Sequence, residues 1–193
     1  MTSALGIAEV SLSGMTRQSC YLLDALKFGM MPAQKAENME FTTAEKSDIA
    51  ELTDLRIAYL KEDFGTLTSD DEQKLRQQIP DYFEKHLNKD AIAFVAKDKS
   101  GIAAVALLII EEKPANPNFI HGKTGEVLSV YTKPEHRRKG YSSKLISMLT
   151  DYARQNSIDR VDLLATELGR PVYKKAGFNE YKSEYVAMRF TLK

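Results

Sequence analysis

Residues 130–144, Val-Tyr-Thr-Lys-Pro-Glu-His-Arg-Arg-Lys-Gly-Tyr-Ser-Ser-Lys, constrain this chain more than any other stretch. An apolar strand runs into a basic turn with one glycine, and Leu145, Ile146, Leu149, Tyr152 and Ala153 then recur at helical spacing. The first amides of a helix have no internal acceptors and its amino end is partly positive, so a turn of this kind can hold an anion. Arg137, Arg138 and Lys139 add charge there. Gly140 has no side chain and lets the backbone approach a ligand. The simplest ligand for such a turn is a phosphate or pyrophosphate.

The flanking sequence supplies strands and helices in an order that supports this turn. Glu40 to Thr42 reads as a first strand, and the Thr42 and Glu45 spacing as a capping box that opens a helix carrying Ile49, Leu52, Arg56, Tyr59 and Leu60. Gly65 ends it. Ser69 and Glu72 form a second capping box before Leu75, Ile79, Tyr82, Phe83 and Leu87, a helix expected to bend or break at Pro80. The apolar runs 91–96 and 103–110 flank a turn composition, Asp-Lys-Ser-Gly, and predict an antiparallel hairpin. A long loop is expected over 113–125 and a strand over 126–131. A strand over 161–165 must lie parallel to the latter if the intervening helix crosses over with the usual hand. A short helix at 170–176, closed by Gly177, and a last strand at 185–192 complete the pattern.

Composition decides against several classes of partner. Lys and Arg number 27 and Asp and Glu 27, so no global field draws the chain to nucleic acid or to an anionic membrane. No apolar run approaches the roughly 20 residues that cross a bilayer, and no secretory signal opens the chain. A single cysteine, Cys20, makes no intrachain disulfide and fits a reducing compartment, so the expected location is cytoplasmic. Residues 1–38 differ from the rest, holding four of the seven methionines and six charged side chains. They read as an appendage, with a short helix at 16–28; a dimer arm and a start at Met31 or Met39 are the alternatives. The domain proper is residues 39–193.

A second motif follows the basic turn by roughly 30 residues: Tyr173-x-x-x-Gly177-Phe178. Together with Arg137-x-x-Gly140-x-Ser142, each behind a strand and after two capped helices, it resembles the GNAT superfamily of acyl-CoA-dependent N-acyltransferases. The resemblance covers about residues 39–193. It implies an α/β (α+β) fold with a mostly antiparallel mixed sheet. A parallel strand pair splays at the acetyl-CoA site, and helices flank the sheet. The serine at 142 departs from the Gly or Ala usual in the family; it is small, and its hydroxyl is a further phosphate contact in prospect.

By this resemblance Arg137, Arg138, Lys139, Gly140, Tyr141 and Ser142 hold the coenzyme pyrophosphate. Val130, Tyr131 and Thr132 lie along the pantetheine arm in the manner of an added strand, and the Val130 amide polarises the thioester carbonyl. Thr166 stands where many members place an asparagine that touches pantetheine. Tyr173 is the expected acid that protonates the departing thiolate, since a phenol with a pKa near about 10 stays protonated at neutral pH. Glu126, eleven positions before Arg137, is the expected base. Glu111, Glu112 and His121 are other candidate bases.

The implied reaction moves an acetyl group from acetyl-CoA, the cosubstrate, to a primary amine by direct attack in a ternary complex, with no metal. Segment 60–67 and loop 113–125 should flank the acceptor mouth. Glu62, Asp63, Glu111 and Glu112 would make it acidic and suited to a small amine or a peptide or protein amine, and Tyr59 and Phe64 would line its apolar wall. Family habit implies a homodimer. Two other classes stay open: a non-catalytic acyl-CoA sensor on the same fold, and another nucleotide-binding α/β protein. Against the second, neither Gly-x-x-x-x-Gly-Lys-Ser/Thr nor Gly-x-Gly-x-x-Gly occurs.

Overall fold

In the computed structural model, residues 39–182, 186 and 188–192 are described. The expected helix at 16–28 and Cys20 lie outside the described residues. The strands and α-helices among these residues are, in order, β1 (Glu40–Thr43), α1 (Ile49–Phe64), α2 (Ser69–His86), β2 (Ala91–Asp98), β3 (Gly101–Glu112), β4 (Lys123–Thr132), α3 (Tyr141–Gln155), β5 (Arg160–Leu163) and α4 (Arg170–Lys175). The sheet runs β1-β2-β3-β4-β5, antiparallel through β4 and parallel between β4 and β5. Helix α3 makes the crossover that a parallel pair requires. The mixed sheet between helices is the fold the motifs imply.

Both faces of the sheet are covered, which explains why β2 and β3 read as continuous apolar runs and not as alternation. Ala91, Ala93, Val95, Val105 and Leu107 point toward α1 and α2, where Leu52, Leu55, Ile57, Ile79 and Phe83 meet them. Ile92, Phe94, Ala104, Ala106 and Leu108 point the other way, onto Leu145, Ile146, Leu149 and Ala153 of α3. Leu145, Ile146 and Leu149 are fully buried. Gly125 is required here by space: a methyl group on it would stand 2.8 Å from Leu108 Cδ1.

Helix starts fall one to three residues from where spacing alone puts them. Thr42 and Thr43 belong to β1, and the reciprocal capping pair is Glu45 with Asp48, opening a single 3-10 turn before α1. The α2 cap is Thr68, whose hydroxyl accepts the Asp71 amide at 3.1 Å; Ser69 is already helical. In both places a neighbouring side chain competes for the same orphan amides, Glu45 three residues after Thr42 and Thr68 one residue before Ser69. Pro80 does not interrupt α2. A proline inside a helix costs about 3 kcal/mol, but burying Ile79 and Phe83 on either side returns a similar amount, about 1.5–3 kcal/mol each.

Strand bounds shift as well. β4 begins at Lys123, which shortens the expected loop, because its first residues pair with both Glu112 of β3 and Arg160 of β5. β5 ends at Leu163, since β4 diverges from it after Val127. The expected strand at 185–192 is not formed over Val186 and residues 188–192; Tyr185 and Ala187 lie outside the described residues. Val186, Met188, Phe190 and Leu192 keep a strand-like alternation but stand 84–94% exposed. Alternation specifies two faces, and a strand also needs a paired neighbour. Among the described residues no helix is long and apolar enough to cross a membrane.

Candidate functional site

The divergence of β4 from β5 opens a cleft of about 480 Å³, lined by Tyr59 and Asp63 of α1, by Val127 to Thr132 apart from Ser129 on β4, and by Thr166, Val172 and Tyr173. Its inner wall is unpaired backbone. The Lys133 amide bonds to the Ala103 carbonyl at 2.9 Å, so Thr132 and Ala104 form a pair whose own N–H and C=O groups face away from each other. By the same alternation the N–H and C=O of Val130 and Thr132 face the open side, where β5 no longer runs. An extended ligand with amide groups can therefore add to β4 as a strand.

One residue earlier the ladder is irregular. Leu107 pairs with Ser129 and Leu108 with Val127, leaving Leu128 as the extra residue of a β-bulge. The bulge turns β4 outward and starts the divergence that makes the cleft.

Below the cleft, the basic turn carries left-handed backbone at Arg138 (φ 63°) and Gly140 (φ 82°). Gly140 is the N-cap of α3, which has no side-chain cap and no acidic residue in its first turn. Nothing lies within 4 Å of where a Gly140 side chain would start. Backbone of this kind gathers amides into an anion-binding concavity at a positive helix end. Arg137 also has partners within the chain. Its amide bonds to Pro134 O at 3.3 Å, and its guanidinium donates to the Thr132 carbonyl at 3.0 Å and to Glu62 at 2.5 Å. It ties α1 to the end of β4. Ser142 Oγ lies 2.9 Å from Thr132 Oγ1, so that hydroxyl is engaged with β4 as well.

On the far wall, Tyr173 stands half-buried beside Phe178, ring centroids 6.0 Å apart. Burial pushes its phenol above the ordinary value, with the Tyr59 phenol adding to the effect. The group therefore holds its proton throughout the neutral range. Thr166 accepts the Gly169 amide at 3.1 Å, closing the turn that presents Tyr173.

A family comparison matches residues 50–178, more than half of the chain, to the acetyltransferase (GNAT) family. The chain belongs to the acetyltransferase (GNAT) family. Among solved structures, this GNAT chain is similar to a predicted acetyltransferase with acetyl-CoA from Clostridium acetobutylicum. They share 28% identity over 78% of this chain and 96% of that one, with a TM-score of 0.66. It is similar in fold to a GCN5-related N-acetyltransferase from Ralstonia eutropha, at 21% identity over 78% and 99% of the chains, with a TM-score of 0.65. The same holds for a glucosamine-6-phosphate N-acetyltransferase from Arabidopsis thaliana, at 21% identity over 80% and 100%, with a TM-score of 0.59. No curated protein matches.

The GNAT cleft brings together Val130, Tyr131, Thr132, Arg137, Ser142, Thr166 and Tyr173 with Glu62, Asp63 and Tyr59. Arg138, Lys139, Gly140 and Tyr141 border it at the turn. Glu126 is exposed and sits one residue outside the lining, between Ile109 and Asp162 in the sheet. Three other acids and bases fall elsewhere. Glu111 and Glu112 pair with Thr124 and Lys123 at the opposite end of β4. His121 is bonded to Asp159 at 2.6 Å beside the start of β5. Loop 113–122 is therefore not part of the cleft mouth. Sequence reading missed Leu164 and Leu168, which rim the cleft, and the contact of Arg56 with Ser129. Their signal is weak, because each is defined by a neighbour distant in sequence.

Proposed function

We propose that this protein transfers an acetyl group from acetyl-CoA to a primary amine by direct attack in a ternary complex. The observation that carries the reading is the open edge of β4 ending at an uncapped basic helix start: one surface for an amide-bearing arm, one for its phosphates. Acetyl-CoA supplies the activated thioester. The edge groups of Val130 and Thr132 hold the pantetheine arm, with Tyr131 between them. The Arg138 to Ser142 amides and the side chains of Arg138 and Lys139 hold the pyrophosphate.

The chain's own groups then divide the chemistry. The Val130 N–H, aimed into the cleft, stabilises the charge that grows on the carbonyl oxygen. Tyr173, kept protonated by burial, gives its proton to the thiolate as it leaves. Glu126 takes the ammonium proton through solvent, which suits its position just outside the cleft lining. The solved acetyl-CoA complex of the Clostridium relative supports the choice of coenzyme.

Thiol release from acetyl-CoA over a panel of amines tests this. Replacing Arg138 and Lys139 together with alanine should weaken acetyl-CoA binding about tenfold or more, most strongly at low salt, as expected for contacts to an anion. Tyr173→Phe should lower kcat about a hundredfold while leaving acetyl-CoA affinity within about threefold. Tight acetyl-CoA binding with no amine-dependent thiol release would leave the fold as a sensor.

A further inference from the structure

The α1–α2 face of β4, opposite α3, holds a charge that the transfer reading leaves unused. Side chains alternate along the strand and shift by one at the bulge, so Glu126, Ser129 and Tyr131 share this face, with Ile109, Leu107 and Val105 as their β3 partners in the α1–α2 core. Arg56, on α1, reaches down to it and donates to Ser129 Oγ. Ser129 is 5% exposed and follows the bulged Leu128 directly.

Arg56 is half-buried, and burial lowers its affinity for its proton, an effect that Tyr59, Asp63 and Tyr82 offset in part. Among the described residues no carboxylate forms an ion pair with it. Asp63 instead accepts the Tyr59 hydroxyl at 3.3 Å, and the Tyr59 ring lies 5.3 Å from the guanidinium carbon. A guanidinium has five N–H donors in a planar fork, and one hydroxyl uses a single one of them. Holding a cation partly out of water for one neutral acceptor is unfavourable unless an anion arrives to complete it.

Resting on the transfer reading, we propose that Arg56 is a specificity residue that binds a carboxylate on the acceptor, so that the substrate class is an amino acid or another amine bearing a carboxylate. The location fits. Tyr59 both contacts Arg56 and lines the cleft, and Glu126 lies on the same face about three residues, or about 10 Å, along β4. An acceptor bound over Tyr59 would have its carboxylate at Arg56 and its amine toward Glu126 and Val130. A carboxylate is favoured over a phosphate because a single guanidinium matches one negative charge in bidentate geometry, and nearby Asp63 opposes a second.

The test is thiol release from acetyl-CoA with β-alanine, γ-aminobutyrate and the standard amino acids that carry a primary α-amine, each beside its amide. At least one acid should exceed its amide about tenfold or more in kcat/KM, and Arg56→Met should lower the acid's value about tenfold to a hundredfold further than the amide's. Arg56→Lys should recover part of that preference, which shows that charge and not folding is read. Calorimetric titration of the same acids into protein saturated with coenzyme A separates the two readings. Acid preference in binding without thiol release would overturn the transfer reading alone. Equal binding and turnover of acids and amides, or an equal fall of both in Arg56→Met, would overturn the inference and leave Arg56 as a strut for β4.

Discussion

At the scale of single residues, the site depends on a few backbone states and one retained proton. Gly140 is left-handed at φ 82°, a state that costs an ordinary L-residue about 1–2 kcal/mol. Space is not the constraint there, since nothing crowds a side chain at that point. Gly140→Ala should therefore destabilise the fold by about 1 kcal/mol and weaken acetyl-CoA binding, because relaxing φ turns the first α3 amides away. Denaturant midpoints and coenzyme titration measure the two effects, and unchanged coenzyme affinity would mean the turn does not hold the phosphates. Arg137 is legible in sequence as part of the motif, but its contacts are not. Its bonds to Glu62 and the Thr132 carbonyl require α1 to lie beside the end of β4.

Among the elements, α2 and α3 are held by different forces. The start of α2 rests on the Thr68 cap, so Thr68→Ala should cost about 1 kcal/mol. Helix α3 is held by burial against the sheet, so Leu149→Ala should cost about 2–5 kcal/mol by opening a cavity between α3 and the sheet. Urea unfolding of both variants tests the ranking; a larger loss at Thr68 would contradict it. Strand β4 shows why elements are only partly readable. Its apolar alternation is visible in sequence, but the extra residue at Leu128 is not, because a bulge is defined by what stands opposite, and β3 is more than a dozen residues away.

For the molecule as a whole, three half-buried phenols set a shared pH response. Burial is the first cause of a raised pKa at Tyr59, Tyr82 and Tyr173. A tyrosine whose folded pKa lies above its unfolded value of about 10 contributes stability that is fully present below that value. The contribution is lost as pH rises through the folded pKa, because the folded state then binds more protons than the unfolded one. The urea midpoint should therefore hold from neutral pH to about 10 and fall beyond it, with a smaller fall in Tyr82→Phe. An identical alkaline fall in that variant would remove Tyr82 from the account.

Sequence alone determined the local pieces: the strand, basic turn and helix at residues 130–144, the Tyr173 and Phe178 motif, and the two helices and hairpin before them. These features are carried by neighbours in the chain, through periodicity, turn chemistry and the amide geometry of a helix start. It also pointed to the family that the comparison identifies. Tertiary structure alone decided what meets across the cleft. It set the outward edge of Val130 and Thr132 where β5 departs, and placed Glu62 and Asp63 at the mouth while leaving Glu111, Glu112 and His121 at the far end of β4. It also set Arg56 over Ser129, 73 residues apart in sequence. Contacts of that separation depend on strand register and helix docking, and no local pattern in the chain encodes them.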